Sequence, residues 1–322
     1  MIINLDLFEF KKYHFRTILF LLFFWSSSVK SSDVFTYGSK YYNNSLVHSI
    51  IPENGRKNKS IIFIPGLNLS SYIFLTTPDG RTGWAQLFAN TGYDVYIVND
   101  PDFDFAKTGF SVSEFNTVPT DGMPSLDPDS EKAWQRDIWK RWGFGSSSGN
   151  PYPDARFPTG YFNNFDDNYP FVSSSNRSYS SSVLALIEDI NNPIYLLAHS
   201  AGGPTAIDVA KSSSDVVSRI ILIEPTGPPD SGDFPALAGM SMFGVYGDYI
   251  ASRNQTIRKA GTEAAAQLFS DNGGVGEVVS LPDDLNVFGN SHLMMQDNNN
   301  EYIADLILNW LTQVDLTLSV GQ

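Results

Sequence analysis

The sequence predicts an α/β fold, with a mostly parallel central sheet, helices on both faces and a long aromatic-rich insertion. Continuous apolar runs are typical of strands buried on both faces. The stretches between them repeat apolar residues with helical spacing. Strands that alternate with helices favour a parallel sheet, because each helix carries the chain back to the edge where it started. With 322 residues, 42% of them hydrophobic, the chain can bury a sizeable core.

Four of the apolar runs are IIFI (61–64), VYIV (95–98), IYLLA (194–198) and IILI (220–223). In chain order, strands are expected at Val34–Tyr42, Leu46–Ile51, Ser60–Ile64, Asp94–Asn99, Pro193–Ala198, Arg219–Glu224, Met240–Tyr246 and Val275–Leu281. Helical stripes include Trp84, Leu87 and Phe88, then Val183, Leu186, Ile187 and Ile190, and finally Ile303, Leu306, Ile307, Trp310 and Leu311.

Residues 101–182 depart from this alternation. They hold 16 aromatic residues in 82 positions, among many Gly, Pro, Ser and Asn. Trp134, Ile138 and Trp142 fall on one face of a short predicted helix. A loop-rich insertion of this length is unusual inside a compact domain, so we interpret it as a lid or pocket wall. The alternative is a second structural layer with no role in binding.

The first 28 residues have the order of a secretory signal peptide. Basic residues (Lys11, Lys12, Arg16) precede a short apolar run, which is followed by three serines. We expect cleavage near Ser28, a mature domain over 29–322 and a secreted protein; a buried N-terminal helix or an uncleaved anchor is the alternative. Sequons for N-glycosylation begin at Asn43, Asn58, Asn68, Asn176 and Asn254.

Composition excludes several classes of function. The net charge of −14 repels phosphate backbones, which argues against a nucleic-acid partner. The chain has no cysteine, so it has no disulfide, thiolate metal site or Cys nucleophile. Four histidines leave little room for a His-rich metal site, and we expect chemistry that needs no metal or cofactor. No apolar span reaches the ~20 residues of a membrane helix.

The strongest local motif is AHSAGG (198–203), which follows a buried strand directly and precedes a predicted helix. This is the setting of a nucleophile elbow, where a tight turn demands small residues around the serine. Ser200 is therefore the expected nucleophile, although Ala198 stands where glycine is usual. An ordinary strand-to-helix turn is the alternative.

A serine nucleophile needs a base, and the base needs an orienting acid. His292 follows the last strand in a polar loop, which is where the base of such sites arises, so we expect it to be the base. Two acids compete, Glu224 and Asp248, each at the end of a strand. Both keep the order Ser, acid, His, and spacing does not decide between them.

The negative charge that develops on an acyl oxygen requires backbone donors. One is expected at Ala201, directly after the nucleophile. The other is expected at Leu67, in the loop PGLNLSS (65–71) that follows the third strand, where Gly66 lets the chain turn. A glycan on Asn68 would crowd this position, so we expect Asn68 to be unmodified. The alternative is a simple glycine turn.

These motifs together resemble the bacterial esterases of the α/β-hydrolase superfamily that use a Ser–Glu–His triad, and their fungal relatives. The matching stretches are TTPDGRTGW (76–84), YPDARFP (152–158), AHSAGG (198–203), IEPTGPP (223–229), VYGDYI (245–250) and GNSHLMMQDNNNEYIADLILNWL (289–311). The resemblance implies the α/β-hydrolase fold, a Ser200–Glu224–His292 triad and oxyanion donors at Leu67 and Ala201. Some relatives carry adjacent cysteines where this chain has Leu67 and Asn68.

The resemblance thus favours Glu224 over Asp248 and implies a secreted serine esterase acting on a small-molecule carboxylic ester. Asp79 and Arg81 are interpreted as a brace for the oxyanion loop, and residues 294–300 as a scaffold for His292. Hydrolysis of amides, lactones or thioesters is one alternative function. A fold that binds ligand but has lost its chemistry is another. The oligomeric state stays open between a monomer and a homodimer.

Overall fold

The computed structural model describes residues 34–67, 69–99, 138–167 and 179–320. The predicted signal segment, Asn68, Trp134 and much of the predicted insertion lie outside the described residues. Described strands are β1 (Phe35–Tyr42), β2 (Ser45–Pro52), β3 (Ser60–Ile64), β4 (Asp94–Val98), β5 (Gly145–Ser147), β6 (Asn150–Pro151), β7 (Ile194–His199), β8 (Val217–Ile223), β9 (Ser241–Tyr246) and β10 (Gly276–Ser280). Described α-helices are α1 (Tyr72–Leu75), α2 (Trp84–Asn90), α3 (Phe162–Asp167), α4 (Ser180–Glu188), α5 (Gly202–Ser212), α6 (Thr256–Asp271), α7 (Leu281–Leu285) and α8 (Asn300–Val320).

Eight of these strands form one sheet in the order β1-β2-β4-β3-β7-β8-β9-β10. Along this order, neighbouring strands in the part β4-β3-β7-β8-β9-β10 are parallel. At the other end of the sheet, β1 pairs with β2, and β2 with β4, in antiparallel register. The predicted mostly parallel sheet is confirmed, and the boundaries of each predicted strand lie within two residues of an observed strand. Since the central strands are parallel, the loops after their carboxyl ends gather at one edge of the sheet.

Alternate residues of the central strands build the cores on the two faces of the sheet. Phe63, Leu197 and Ile221 pack with the apolar faces of α2 and α8. Their neighbours in sequence, such as Leu196 and Leu222, pack with α4, α5 and α6 on the opposite face. All of these strand side chains are fully buried. Burial on both faces explains why the strands are unbroken apolar runs rather than alternating ones.

The described part of the aromatic insertion, residues 138–167, carries a small hairpin of β5 and β6 and a cluster of buried rings. The rings of Phe144 and Phe157 stack with centroids 3.8 Å apart, and Trp142 meets Phe144 edge-on. The insertion also touches the loop that follows α7, because the His292 N–H donates to the Trp142 carbonyl at 2.7 Å. This bond joins the described part of the insertion to the loop that carries His292.

None of the described helices is both long enough and apolar enough to cross a membrane.

We predict that Leu222→Ala lowers the free energy of unfolding by about 2–5 kcal/mol, because it leaves a cavity among fully buried side chains. The measurement is equilibrium unfolding in urea. Leu316→Ala in α8 is the matched control, since Leu316 is 62% exposed and should shift the transition little. Equal losses in the two variants would contradict the assignment of Leu222 to the core.

Candidate active site

Ser200 lies at the turn between β7 and α5, with a backbone φ of 50°. A non-glycine residue in this left-handed region is strained, and neighbouring contacts must hold it there. The Ser200 N–H donates to the Ile223 carbonyl at 2.9 Å, and the Thr226 N–H donates to the Ser200 carbonyl at 2.9 Å. A Cβ on Gly202 would lie 2.7 Å from the Ile64 carbonyl oxygen. The small residues of the motif are thus required by the tightness of the turn.

The loop after β3 closes against this turn. A Cβ on Gly66 would stand 2.8 Å from the Ser200 Cβ, so only glycine lets the two segments come this close. The Tyr179 hydroxyl donates to the Pro65 carbonyl at 2.8 Å and holds the loop from the other side. Leu67 and Ala201 both border the cavity above Ser200.

Glu224 follows β8 directly, with a backbone φ of 43° and a fully buried carboxylate. His292 Nδ1 donates to its Oε2 at 2.6 Å, and the Gly247 N–H donates to its Oε1 at 2.9 Å. Burial alone would raise the pKa of Glu224. The charge of Arg253 and the hydrogen bond from His292 outweigh this and hold that pKa well below its usual range.

Arg253 is the second partner of this carboxylate, and sequence reasoning missed it. Its Nη1 and Nη2 bind Glu224 Oε2 and Oε1 at 2.7 and 2.6 Å, and both side chains of the pair are 0% exposed. Its Nε and Nη2 also donate to the Asp248 carbonyl. A buried carboxylate is tolerated only when it is paired and its oxygens are hydrogen-bonded, and Arg253 meets both conditions.

Asp248 does not contact His292 among the described hydrogen bonds. Its Oδ1 accepts from the Tyr249 N–H at 2.6 Å, and its Oδ2 accepts from the Gly289 N–H at 2.9 Å. It joins the loop after β9 to the segment that carries His292. Of the two acids that spacing left open, Glu224 is the one on the imidazole.

His292 is 6% exposed and borders the same cavity as Ser200. Because its Nδ1 donates to a carboxylate, Nε2 remains for a reacting group. Burial and the charges of Arg253 and Arg258 outweigh Glu224 and lower its pKa from the ordinary 6.5. Within the described residues, no hydrogen bond joins Ser200 Oγ to the imidazole; in uncomplexed sites such bonds are often longer than in the reacting complex.

His199, the residue before Ser200, also lies at this site. Its ring centroid is 4.5 Å from that of His292, and its Nε2 donates to the His292 carbonyl at 3.0 Å. Burial, together with repulsion from His292, lowers the pKa of His199 well below its ordinary value, so this ring is neutral. The uncharged ring of His199 packs against the His292 ring and binds the His292 carbonyl.

A buried polar network fixes the loop that carries His292. The Asp297 carboxylate accepts from the Ser291 N–H, the Ser291 hydroxyl and the Asn290 amide at 2.7–2.9 Å. Burial nonetheless raises the pKa of Asp297 to about 6. Arg81, which also pairs with Asp79, donates to the carbonyls of Gln296 and Asp297 and to the Asn300 side chain. Arg81 therefore braces this loop and not, as the sequence suggested, the oxyanion loop.

The cavity has a volume of about 360 Å³. Its walls include Leu67, Trp142, Ser200, Ala201, Arg253 and His292. Across the residues that the structure describes, no group of three or more His, Cys, Asp or Glu could hold a metal ion. Ser200, the imidazole that Glu224 orients, and the residues Leu67 and Ala201 all border this cavity, a set of groups that can carry out acyl transfer.

No protein-family model matches the chain. A fungal protein named "Probable secreted lipase phiG", from Fungal sp. (strain ATCC 74256), is 29% identical over 220 residues, which cover 66% of this chain. The match spans only 57% of that relative's length. A solved structure of a novel bacterial esterase is similar with a TM-score of 0.68 at 23% identity, over 87% of this chain and 94% of that one. This likeness shows the fold, which is the α/β-hydrolase fold.

We predict that Arg253→Met raises the pKa of His292, because it removes a cation beside the imidazole and leaves Glu224 free to stabilise the charged ring. The measurement is NMR titration of the histidine ring signals, which needs no turnover. Loss of one partner of a buried ion pair should also destabilise the fold by about 3–5 kcal/mol. Arg253→Lys, which keeps the charge, is the control; an unchanged His292 titration in folded Arg253→Met would contradict the prediction.

Proposed function

We propose that this chain, which has the α/β-hydrolase fold, hydrolyses carboxylic esters through a covalent acyl-enzyme on Ser200. The observation that carries the proposal is the 2.6 Å contact between His292 Nδ1 and the buried Glu224 carboxylate, at the wall of the cavity that Ser200 borders. An imidazole held in this way has its second nitrogen available as a base. The esterase and lipase names of the similar proteins support the same class of reaction.

In the proposed mechanism, Ser200 Oγ attacks the acyl carbon while His292 Nε2 takes its proton. Glu224 keeps the imidazole oriented and stabilises its charged form. His292 then gives the proton to the oxygen of the leaving alcohol, and the acyl group remains as an ester on Ser200. A water molecule, deprotonated by the same histidine, hydrolyses this ester and releases the acid and the free serine.

The backbone N–H groups of Leu67 and Ala201 are the proposed donors to the oxyanion. Ala201 stands at the N-terminus of α5, where backbone N–H groups are not used inside the helix. The loss of one such donor costs about 3 kcal/mol of transition-state stabilisation in a well-studied case. The contact of Gly66 with Ser200 fixes the distance between the two sides of this site.

Secretion is part of the proposal. The order of charges and apolar residues over 1–28 supports a signal peptide, and the fungal relative is itself named as secreted. In a secreted protein, exposed sequons such as those at Asn43 and Asn58 are available for glycans, and both asparagines lie in exposed turns with positive φ. The proposed partner is a small-molecule ester, and a homodimer remains an alternative to the monomer.

We predict that a fluorophosphonate labels the folded protein once, on Ser200, because this reagent reacts with activated serines. Intact mass and peptide mapping measure the adduct. Ser200→Ala should abolish labelling and ester hydrolysis. Ser212→Ala, at the exposed far end of the same helix, is the control and should keep both. A folded protein that takes up no label, and hydrolyses no ester of a varied panel, would overturn the proposed function.

We also predict that Glu224→Gln lowers kcat by about 10⁴-fold, because an amide favours the wrong tautomer of His292. Asp248→Asn should have a much smaller effect, since Asp248 holds only backbone N–H groups. The measurement is kcat on a soluble ester at pH 8, with circular dichroism to verify folding. The opposite ranking of the two variants would show that the acid is Asp248.

A further inference from the structure

The described walls of the cavity above Ser200 carry basic side chains and no acidic one. The chain carries a net charge of −14, yet the described cavity walls hold three arginines, Arg141, Arg253 and Arg258, and no Asp or Glu. Acidic side chains outnumber basic ones in the chain by 35 to 21, so a cavity wall with arginines and no acidic side chain departs from the composition of the whole chain. A local positive field in a concave site raises the concentration of anionic ligands there.

The three arginines differ in their interaction partners. Arg253 is fully engaged by Glu224, as described above. Arg141 is exposed and has an interaction of its own. Arg258 donates from Nη1 to the Gln255 side-chain oxygen at 3.1 Å, and among the described residues it has no carboxylate partner. Its charge is therefore uncompensated by any described ion pair.

The place of Arg258 on its helix makes this charge costly. Arg258 is the third residue of α6, and the first turn of that helix contains no acidic residue. A cation in the first turn opposes the helix dipole, and because Arg258 is exposed, solvent screens part of this effect. The next residue, Lys259, is neutralised by Glu263 at 2.9 Å and by Asp283 at 3.5 Å. Among the described residues of the cavity wall, Arg258 is the cation that combines an unfavourable position on its helix with no carboxylate partner.

The charge of Arg258 also reaches the reaction centre. Arg258 and His292 border the same cavity, and the charge of Arg258 adds to the effects of burial and of Arg253 that lower the pKa of His292. Glu224 and Arg253 also act on His292, and these two are paired with one another. An anionic group of a bound ester would therefore meet Arg258 as an available counter-charge.

We propose that Arg258 binds a carboxylate of the substrate, so that the preferred esters are acidic ones, with a free carboxylate on the acyl or the alcohol portion. This inference rests on the proposed function. A guanidinium offers two parallel N–H groups to a carboxylate, a bidentate geometry that a lysine or a neutral side chain does not provide. Arg258 is thus a residue that determines specificity, separate from the groups that carry the reaction.

The experiment compares two pairs of esters with equal chain lengths: monoethyl adipate with ethyl hexanoate, and 6-acetoxyhexanoate with hexyl acetate. Released acid is titrated at pH 8, and kcat/KM is compared within each pair. The wild type should favour the carboxylate ester of at least one pair. Arg258→Met should lower that ratio roughly tenfold or more, as expected for the loss of a hydrogen-bonded charge. Lys259→Met, which removes the neighbouring cation, should leave the ratio unchanged.

A second measurement needs no turnover. Adipate binding, followed by calorimetry, should weaken in Arg258→Met and persist in Lys259→Met, and it should weaken with added salt. Fluorophosphonate labelling of the same samples separates the two proposals. Labelled protein that hydrolyses esters with no preference for carboxylates would overturn the role of Arg258 alone. Protein that neither labels nor turns over any ester would overturn the proposed function, and adipate binding that is equal in both variants would overturn the carboxylate site itself.

Discussion

The buried carboxylate of Glu224 is the constraint on which the rest of the site depends. A carboxylate without water must have its charge balanced and its oxygens satisfied. Here His292, Arg253 and the Gly247 N–H together meet that demand. These three partners lie in the segments after β9 and β10, so the Glu224 carboxylate binds groups that are far from it in sequence. The orientation of His292 follows from this requirement.

The parallel sheet makes this convergence possible. Ser200 and Glu224 both stand at the carboxyl ends of neighbouring strands, and the loop after β3 meets them because β3 pairs with β7. The positive φ angles of Ser200 and Glu224 place the strain at the same edge. Strain of this kind persists only where surrounding contacts determine the conformation more than once, as the double hydrogen bonding of Ser200 does here.

The strands and the turn at Ser200 could be predicted from the sequence, because short-range patterns of residues determine them. The strands are apolar runs, and the elbow is a short motif whose small residues are required by close approach. The choice between Glu224 and Asp248 could not be made from local patterns, because each acid lies at the end of a strand. Only the resemblance to esterases with a Ser–Glu–His triad favoured Glu224. Arg253, His199 and the contacts of Arg81 could not be predicted. Their roles depend on partners between 29 and 219 residues away, and neither a lone buried arginine nor a histidine beside a serine has a distinctive local pattern.

The bond from Tyr179 to the Pro65 carbonyl has a mechanical consequence. Tyr179 stands where the chain returns from the aromatic insertion to α4, and Pro65 belongs to the loop whose next residues flank Ser200. The two ends of this hydrogen bond are 114 residues apart in sequence, so it connects the end of the insertion to the loop of the proposed oxyanion donor Leu67. Under the proposed function, a ligand that displaces Tyr179 also displaces the Pro65 backbone, so substrate recognition and the geometry of the proposed oxyanion site are mechanically coupled.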